Sequence, residues 1–268
     1  MIAIAACSGA KTAKPAHTPT VPEIVDRLAK ARSALTAFRG DSTMDYWLSG
    51  QRAKGEVLVM GKVGRFVRFA ALSPAGGSTL AEMACDGANF VYVDYQNNCV
   101  LSGPCDAQSV AIFFGIELEP DDFLHLALGT PPVIADATGQ VTWDGGKGAW
   151  KVALASSEGK QNLFVTDGGD VLESELVGSD GKVRWSVANT DFKKLAGSGE
   201  ARVPMKSRFK SPAQQQDLLV EWKELEPNAQ LPPEGFKLEP PSGVPQCGQK
   251  AAPAKPAPAP AKPPAKKP

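Results

Sequence analysis

The chain has 268 residues, 29 of them Lys or Arg and 29 Asp or Glu, so its formal net charge at pH 7 is zero. A balanced charge creates no overall field to attract a polyanion, which excludes a strongly basic nucleic-acid-binding protein, and we expect no nucleic-acid partner. The apolar stretches are also too short to cross a bilayer as a helix.

The chain begins with a short apolar run that ends at a cysteine, MIAIAAC. Residues 4–7 (IAAC) resemble the lipobox of bacterial lipoproteins, in which cleavage precedes the cysteine and its thiol carries diacylglycerol. The resemblance implies a signal-peptide remnant at 1–6 and lipid attachment at Cys7. Ser8 beside it implies the outer membrane of a Gram-negative-type bacterium, with the domain facing the periplasm. No basic n-region precedes the run, so we expect the true start codon upstream. A cytosolic protein with an apolar first turn is the alternative.

Both ends of the chain have the composition of tethers. Residues 7–20 continue from the lipidated cysteine as a small, polar, proline-bearing run, which predicts a flexible spacer. Residues 246–268 are rich in Pro, Ala and Lys, cannot bury a core and favour an extended, disordered tail. One domain at 21–245 remains, a length that a single β-rich domain can fill.

The first predicted element of this domain is a helix. Thr20 and Glu23 have the spacing of a capping box, and Pro22 falls in the first turn, where a missing amide is tolerated. Apolar residues then recur at spacings of three and four, which predicts an amphipathic helix packed on the domain. These residues are Ile24, Leu28, Ala31, Leu35 and Phe38.

From residue 39 the apolar period changes to two. Short alternating runs are separated by turn pairs such as Asp86-Gly87 and Asp180-Gly181. About ten or eleven antiparallel strands in sequence order predict a large, strongly curved sheet or barrel. An apolar insert at 107–129 interrupts the strands, and its second half begins as a helix at Pro120. We expect the first helix and the insert to cover the concave side.

Residues 54–72 (KGEVLVMGKVGRFVRFAAL) and 82–98 (EMACDGANFVYVDYQNN) carry a resemblance to a known family. An arginine-bearing strand after a tight turn, followed by a hairpin, resembles the LolA/LolB-like lipoprotein-sorting family of the bacterial envelope. The resemblance is specific only over about 55–95. It implies a mainly β fold with an α lid, an unclosed antiparallel half-barrel of about 10–11 strands with helices covering the concave face. It also implies partners, namely the acyl chains of lipoproteins or phospholipid.

A groove for acyl chains needs apolar side chains rather than a catalytic group, since each methylene removed from water is worth about 0.8 kcal/mol. Arg68 matches by position an arginine that contacts the lid, and Arg65 is close; a solvated charge is the alternative. For each candidate lining residue the alternative is ordinary core packing. The candidates are Trp47, Leu58, Met60, Val67, Phe69, Phe90, Tyr92, Phe123, Leu124 and Leu128.

The hairpin LSPAGGST at 72–79 lacks the large apolar tip by which acceptor members of the family enter membranes. The sequence therefore leaves open whether the protein passes lipoproteins on or only holds lipid. A structural or docking lipoprotein without lipid cargo, acting through the Lys/Pro-rich tail, is the alternative function. We expect a monomer in either case.

Four further cysteines suit an exported chain with two disulfides: Cys85, Cys99, Cys105 and Cys247. Three pairings are open, and we favour Cys99 with Cys105 across a short loop and Cys85 with Cys247. Zinc is the competing interpretation, but no CxxC spacing occurs and the chain has only two histidines. We predict no metal site.

Acid–base chemistry has one candidate, a carboxylate cluster formed by Glu117, Glu119, Asp121 and Asp122. Acidic residues before an apolar helix are more simply explained by the favourable interaction of negative charge with a helix N-terminus. His125 lies on the same apolar helix and is expected to be packed. No nucleophile motif or phosphate-binding loop occurs, so we predict neither an enzyme nor a cofactor.

Overall fold

The computed structural model describes residues 11–48, 51–74, 77–114 and 118–248. The predicted signal remnant, Cys7 and the tail beyond residue 248 lie outside these ranges. The described residues form three α-helices, which are α1 (Val21–Ala34), α2 (Ala107–Phe114) and α3 (Pro120–Ala127).

The described part of the chain also forms one sheet of thirteen strands. In space the order is β6-β5-β4-β3-β2-β1-β13-β12-β11-β10-β9-β8-β7, and every neighbouring pair is antiparallel. The first and last strands therefore meet in the middle, and β6 and β7 remain as open edges. The strands are β1 (Ala37–Leu48), β2 (Gln51–Lys62), β3 (Phe66–Leu72), β4 (Thr79–Asp86), β5 (Asn89–Asp94), β6 (Cys99–Pro104), β7 (Thr138–Asp144), β8 (Ala149–Ser156), β9 (Gly159–Val165), β10 (Val171–Gly178), β11 (Val183–Lys193), β12 (Val203–Ser211) and β13 (Gln216–Pro227).

This arrangement confirms the predicted unclosed antiparallel sheet with helices, although the predicted strand number was too low. Strand β6 was not predicted, because its Gly103-Pro104 ending led us to expect a loop. It pairs with β5 on one side only. Proline is tolerated at such an edge because no strand on the open side needs the N–H that proline lacks.

The same strand explains why the favoured disulfide pairing was wrong. Cys99 begins β6 and Cys105 follows its end, so an extended strand holds the two cysteines apart. The disulfides are Cys85–Cys105 and Cys99–Cys247. All four candidate cysteines are thus paired, but the first bond joins β4 to the end of β6 and the second joins β6 to the C-terminal end of the domain.

Helix α1 begins with the predicted capping box. The Glu23 amide donates to Thr20 Oγ1, and the Thr20 amide donates to Glu23 Oε2 at 2.6 Å. The helix ends at Ala34, so Leu35 and Phe38 of the predicted apolar stripe belong to the following loop and to β1. Its buried residues, Ile24 and Leu28, pack into a core formed with the inner face of β8, β9 and the start of β10.

The predicted spacer is attached to the domain within the part that the structure describes. The Thr12 amide donates to the Gly145 carbonyl at 2.8 Å, and Trp143 Nε1 donates to the Thr12 carbonyl at 3.1 Å. These bonds tie residue 12 to the turn between β7 and β8. Residue 12 of the predicted spacer is therefore bonded to the domain.

Residues 233–248, called the C-terminal segment below, cross the outer face of the first half of the sheet. The 1% exposed Phe236 packs its ring against Phe66 of β3, with centroids 5.4 Å apart. Gln246 then forms a parallel bridge with Val100 along the open edge of β6. Covering an edge strand protects it from pairing with other chains. No helix among the described residues has the length and hydrophobicity to span a membrane.

Candidate functional site

Strand register sorts the predicted groove residues onto two faces of the sheet. Val59 pairs with Phe69, whereas Met60 pairs with Arg68, and directly paired residues share a face. Val67 and Phe69 of β3 are 1% and 0% exposed on the concave face, beneath α3. Arg68 and Met60 lie on the outer face.

Helix α3 closes much of the concave face. The ring of Phe123 meets Phe69 edge-on with centroids 5.3 Å apart, and Leu124 is fully buried. Helix α3 approaches β2 closely at Gly61, where an added Cβ would lie 3.3 Å from Leu124 Cδ1. The same core cluster as Phe69, Phe123 and Leu124 also contains Val67, Met83, Phe90, Leu126 and Leu128. The predicted groove residues Val67, Phe69, Phe90, Phe123, Leu124 and Leu128 thus come together, but as closed core.

The acidic start of α3 holds the helix in place. Asp121 accepts hydrogen bonds from the amides of Gly64 and Arg65 in the β2–β3 turn, the second at 2.8 Å. Asp122 forms an ion pair with Arg32 of α1 at 2.6 Å. The carboxylates that suggested acid–base chemistry therefore connect α3 to both neighbouring elements. Glu117 of that cluster lies outside the described residues.

The expected contact of Arg68 with the lid is not found. Arg68 lies on the face opposite α3, where its Nη2 pairs with Glu82 at 2.6 Å and its Nη1 donates to the Gly235 carbonyl at 2.7 Å. It therefore fastens the C-terminal segment to the sheet. The neighbouring Arg65 reaches the lid side instead, with Nη2 3.5 Å from Glu119 Oε2.

Three predicted groove residues point away from the concave face. Leu58 and Met60 alternate with the buried Val57 and Val59 along β2, and Trp47 lies on the outer side of β1. Trp47 and Leu58 are 46% and 44% exposed. The alternation was correctly recognised, but the sequence does not state which of its two sets faces inward.

A cavity of about 340 Å³ opens on the concave face. The pair Val59–Phe69 is followed on the same face by the pair Val57–Ala71. The cavity lies at this second pair, where small side chains leave space. Its floor consists of Ala53, Gly55, Val57, Ala71 and Ala81, and its walls include Met44, Tyr46, Tyr92 and Leu218. Of the predicted groove residues only Tyr92 lines it. The other lining residues were not predicted, because the prediction was based on large apolar side chains. This cavity exists where the side chains are small.

Two polar side chains of the cavity, Tyr92 and Asp94, are hydrogen-bonded to each other. The Tyr92 hydroxyl donates a hydrogen bond to Asp94 Oδ2 at 3.1 Å. Burial, reinforced by the nearby Asp94 charge, raises the pKa of the Tyr92 hydroxyl. Burial also acts to raise the pKa of Asp94, but hydrogen bonds from Asn97 and Tyr92 outweigh it, and the net pKa is lowered. The cavity therefore presents a neutral phenol held by an ionised carboxylate.

His125 is packed rather than placed in the cavity, as expected. It is 4% exposed, and its Nδ1 lies 3.2 Å from Thr130 Oγ1. Burial, with a smaller contribution from the Arg32 charge, lowers the pKa of His125 to about 4. The histidine is therefore neutral in the folded protein near pH 7.

A larger cavity of about 600 Å³ lies on the outer face. Its floor is apolar, but six of its twelve lining residues are charged. Charged groups lose hydration when an apolar ligand covers them. Three of the sixteen residues that line the concave cavity are charged, namely Lys54, Glu56 and Asp94. By this count of charged groups the concave cavity is the better site for an apolar ligand.

The sequence matches no protein-family model and no curated protein. Solved structures do share its fold. A DUF1329 family protein from Desulfovibrio piger superposes with a TM-score of 0.54 at 13% identity, over 82% of this chain and 98% of that chain. A LolA superfamily protein from Nitrosomonas europaea gives 0.53 at 10% identity over 82% and 98%. A proposed outer membrane lipoprotein-sorting protein domain from Vibrio parahaemolyticus gives 0.51 at 10% identity over 80% and 94%.

Identities this low show the fold and nothing finer. The coverage nevertheless includes both halves of the sheet, since about four fifths of this chain superposes in each case. The half-barrel implied by the sequence resemblance is thus confirmed as a fold. The structural neighbours of this chain include LolA superfamily, DUF1329 and outer membrane lipoprotein-sorting domains.

Proposed function

We propose that this protein is an envelope lipoprotein that binds acyl chains, of lipoproteins or phospholipid, in the concave cavity. The observation that carries the proposal is the cavity itself. Lys54, Glu56, Asp94 and Gln96 also line it, but its floor is built from alanine, glycine and valine, and methionine, leucine and the tyrosine rings form much of its walls. Such a surface can remove methylenes from water, at about 0.8 kcal/mol each, without demanding a directional contact.

The size of the cavity fits this role. Its volume of about 340 Å³ lies at the lower end of the roughly 300–1,000 Å³ typical of small-molecule sites. We infer that part of one acyl chain enters while α3 stays in place, because Asp121 and Asp122 tie that helix to the β2–β3 turn and to α1. The chain would end against the Phe69–Phe123 contact.

The proposed anchor is the acylated Cys7, in the outer membrane and facing the periplasm. Five residue steps separate Cys7 from Thr12, which is bonded to the β7–β8 turn. Five extended residues span at most about 18 Å. On this proposal the β7–β8 turn stays within that distance of the lipid, whatever path the intervening residues take.

We expect the substitution Ala71→Phe to weaken acyl-chain binding at least tenfold, because its ring would occupy the cavity between Val57 and Ala81. The measurement is titration of the soluble Cys7→Ala protein, purified without detergent, with a fluorescent fatty acid. Ala153→Phe is the matched control, since Ala153 is exposed on β8 in the other half of the sheet. Native mass spectrometry of the same preparation would identify a co-purified phospholipid or acyl peptide.

Two results would contradict lipid binding. One is a ligand-free mass in repeated preparations with no binding of the fatty acid; the other is equal binding by Ala71→Phe and wild type. The first result would favour the alternative function, a docking lipoprotein without cargo that acts through its tail. The second would place the acyl chain elsewhere on the protein.

The anchor is tested separately, with the chain expressed behind a complete lipoprotein leader. We expect Cys7→Ser to move the protein from the membrane fraction to the soluble fraction, because the acylated thiol is lost. We expect Ser8→Asp to move it from the outer to the inner membrane, and Ser8→Ala is the control. Unchanged fractionation of Cys7→Ser would overturn the anchor without affecting the cavity.

A further inference from the structure

The outer-face cavity has the chemistry of a lysine site. Its floor is formed by Leu58, Met60 and Ala70, and Leu58 is 44% exposed. Exposed apolar surface beside carboxylates suits a side chain with a methylene stem and a cationic end. This cavity lies on the opposite side of the sheet from the proposed acyl site and is independent of it.

Two carboxylates of this cavity lack a cationic partner among the described residues. Arg68 pairs with Glu82, and Arg39 pairs with Glu226 at 2.5 Å. Asp41 and Glu224, by contrast, form no ion pair in the described part of the chain, and they face each other across β1 and β13. Like charges placed directly opposite destabilise a sheet. A bound cation would relieve that repulsion.

Asp41 also has an unused acceptor. Its Oδ1 is buried and has no hydrogen-bond partner among the residues that the structure describes. A buried acceptor without a partner is destabilising, because it has lost its hydration without gaining a hydrogen bond. The sheet is irregular at this point, since the β1–β13 register shifts between Asp41 and Ser42. Bulges of this kind re-aim side chains and occur often beside functional sites.

We propose that the outer cavity binds a lysine of the chain's own C-terminal tail, with the ammonium group between Asp41 and Glu224 and the methylene stem on Leu58. Residues 249–268 contain five lysines and no acidic residue, so their charge is complementary to the carboxylates. The C-terminal segment that leads to the tail is already fastened beside the cavity, through the bond from Arg68 to Gly235.

The tail is long enough to reach the site. Strand pairing places Gln246, Val100, Val93, Glu82, Ala70, Leu58 and Asp41 in one row across the sheet. Six strand spacings from Gln246 to β1 amount to about 29 Å. Lys262 follows Gln246 by 16 residues, which in an extended polyproline conformation span about 50 Å. Lys262, Lys266 and Lys267 can therefore all reach the site. Tethering through a linker of this length gives an effective concentration of order millimolar.

The test is zero-length carbodiimide cross-linking of the full-length Cys7→Ala protein at low micromolar concentration and low salt, read by peptide mass spectrometry. We expect links from Lys262, Lys266 or Lys267 to Asp41 or Glu224 at least five times more abundant than links to Glu158 and Glu175, which lie in the other half of the sheet. Asp41→Asn with Glu224→Gln should remove the preferred links, while the acyl-binding titration stays unchanged.

Two outcomes would overturn the proposal. Equal yields at Asp41, Glu224, Glu158 and Glu175 would mean that the tail lysines sample carboxylates without preference. Preferred links found only between molecules, with a yield that rises with protein concentration, would make a second copy the occupant. Because fatty-acid binding is measured in parallel, failure here is distinguishable from failure of the proposed function.

Discussion

Removing the Cys99–Cys247 disulfide is expected to lower the free energy of unfolding by about 2–5 kcal/mol. The bond joins residues 148 apart in sequence, and the loop-entropy model gives about 5 kcal/mol for a loop of that length. Residual structure in the unfolded chain brings the expected value below this limit. The variant is Cys99→Ala with Cys247→Ala in the soluble Cys7→Ala protein, which leaves no free thiol, and the measurement is urea unfolding followed by tryptophan fluorescence.

Native-state hydrogen exchange of the same variant would show which parts of the structure lose stability. The bond fixes the C-terminal segment at the edge of β6, where the Cys247 amide donates to the Val100 carbonyl at 2.8 Å. We expect faster exchange in β6 and in residues 245–247, while β8 and β9 stay protected. Arg68 and the buried Phe236 still hold the earlier part of the segment.

The control is the other disulfide, removed by Cys85→Ala with Cys105→Ala. Its cysteines are 20 residues apart, for which the same model gives about 3 kcal/mol. Both side chains are buried in the core beside α2, so exchange should increase there and not at residues 245–247. An unchanged free energy of unfolding and unchanged exchange at residues 245–247 in the first variant would contradict the assigned role of Cys99–Cys247.

The elements of this fold could be predicted from local signals. The capping box of Thr20 and Glu23 marks the start of α1, and the Pro120-Asp121-Asp122 run marks the start of α3. Turn pairs and period-two alternation mark most of the strands. One exception, β6, carries Gly103 and Pro104, and only its place at an edge makes the proline acceptable in a strand.

The candidate site was harder to predict because it depends on pairing rather than on sequence. Alternation in β2 gives two sets of residues, and only the register of Val59 with Phe69 reveals that Leu58 and Met60 face outward. The cavity is formed by Gly55 and Ala71, whose small side chains carry no apolar signal. The disulfides depended likewise on whether residues 99–104 form a loop or a strand.

His125 should make the stability of the folded protein depend on pH between about 6.5 and 4. Burial, with the Arg32 charge, lowers the pKa of His125 to about 4 in the folded protein, whereas an unfolded histidine has a pKa of about 6.5. As the pH falls through this range, the unfolded chain binds a proton that the folded chain does not. Stability is therefore fully present above pH 6.5 and is lost towards pH 4, by about 2–3 kcal/mol at pH 4.5.

The variant that isolates this effect is His125→Asn, whose amide does not titrate and can still bond to Thr130 Oγ1. Carboxylates protonate in the same range, so the informative quantity is the difference in free energy of unfolding between wild type and variant, measured in urea at pH 7.5 and 4.5. We expect wild type to lose about 2–3 kcal/mol more than the variant over this interval. Equal losses would mean that His125 takes up its proton without leaving the folded state. A confirmed difference would show that the burial of a neutral His125 in α3 is one source of the acid sensitivity of the folded protein.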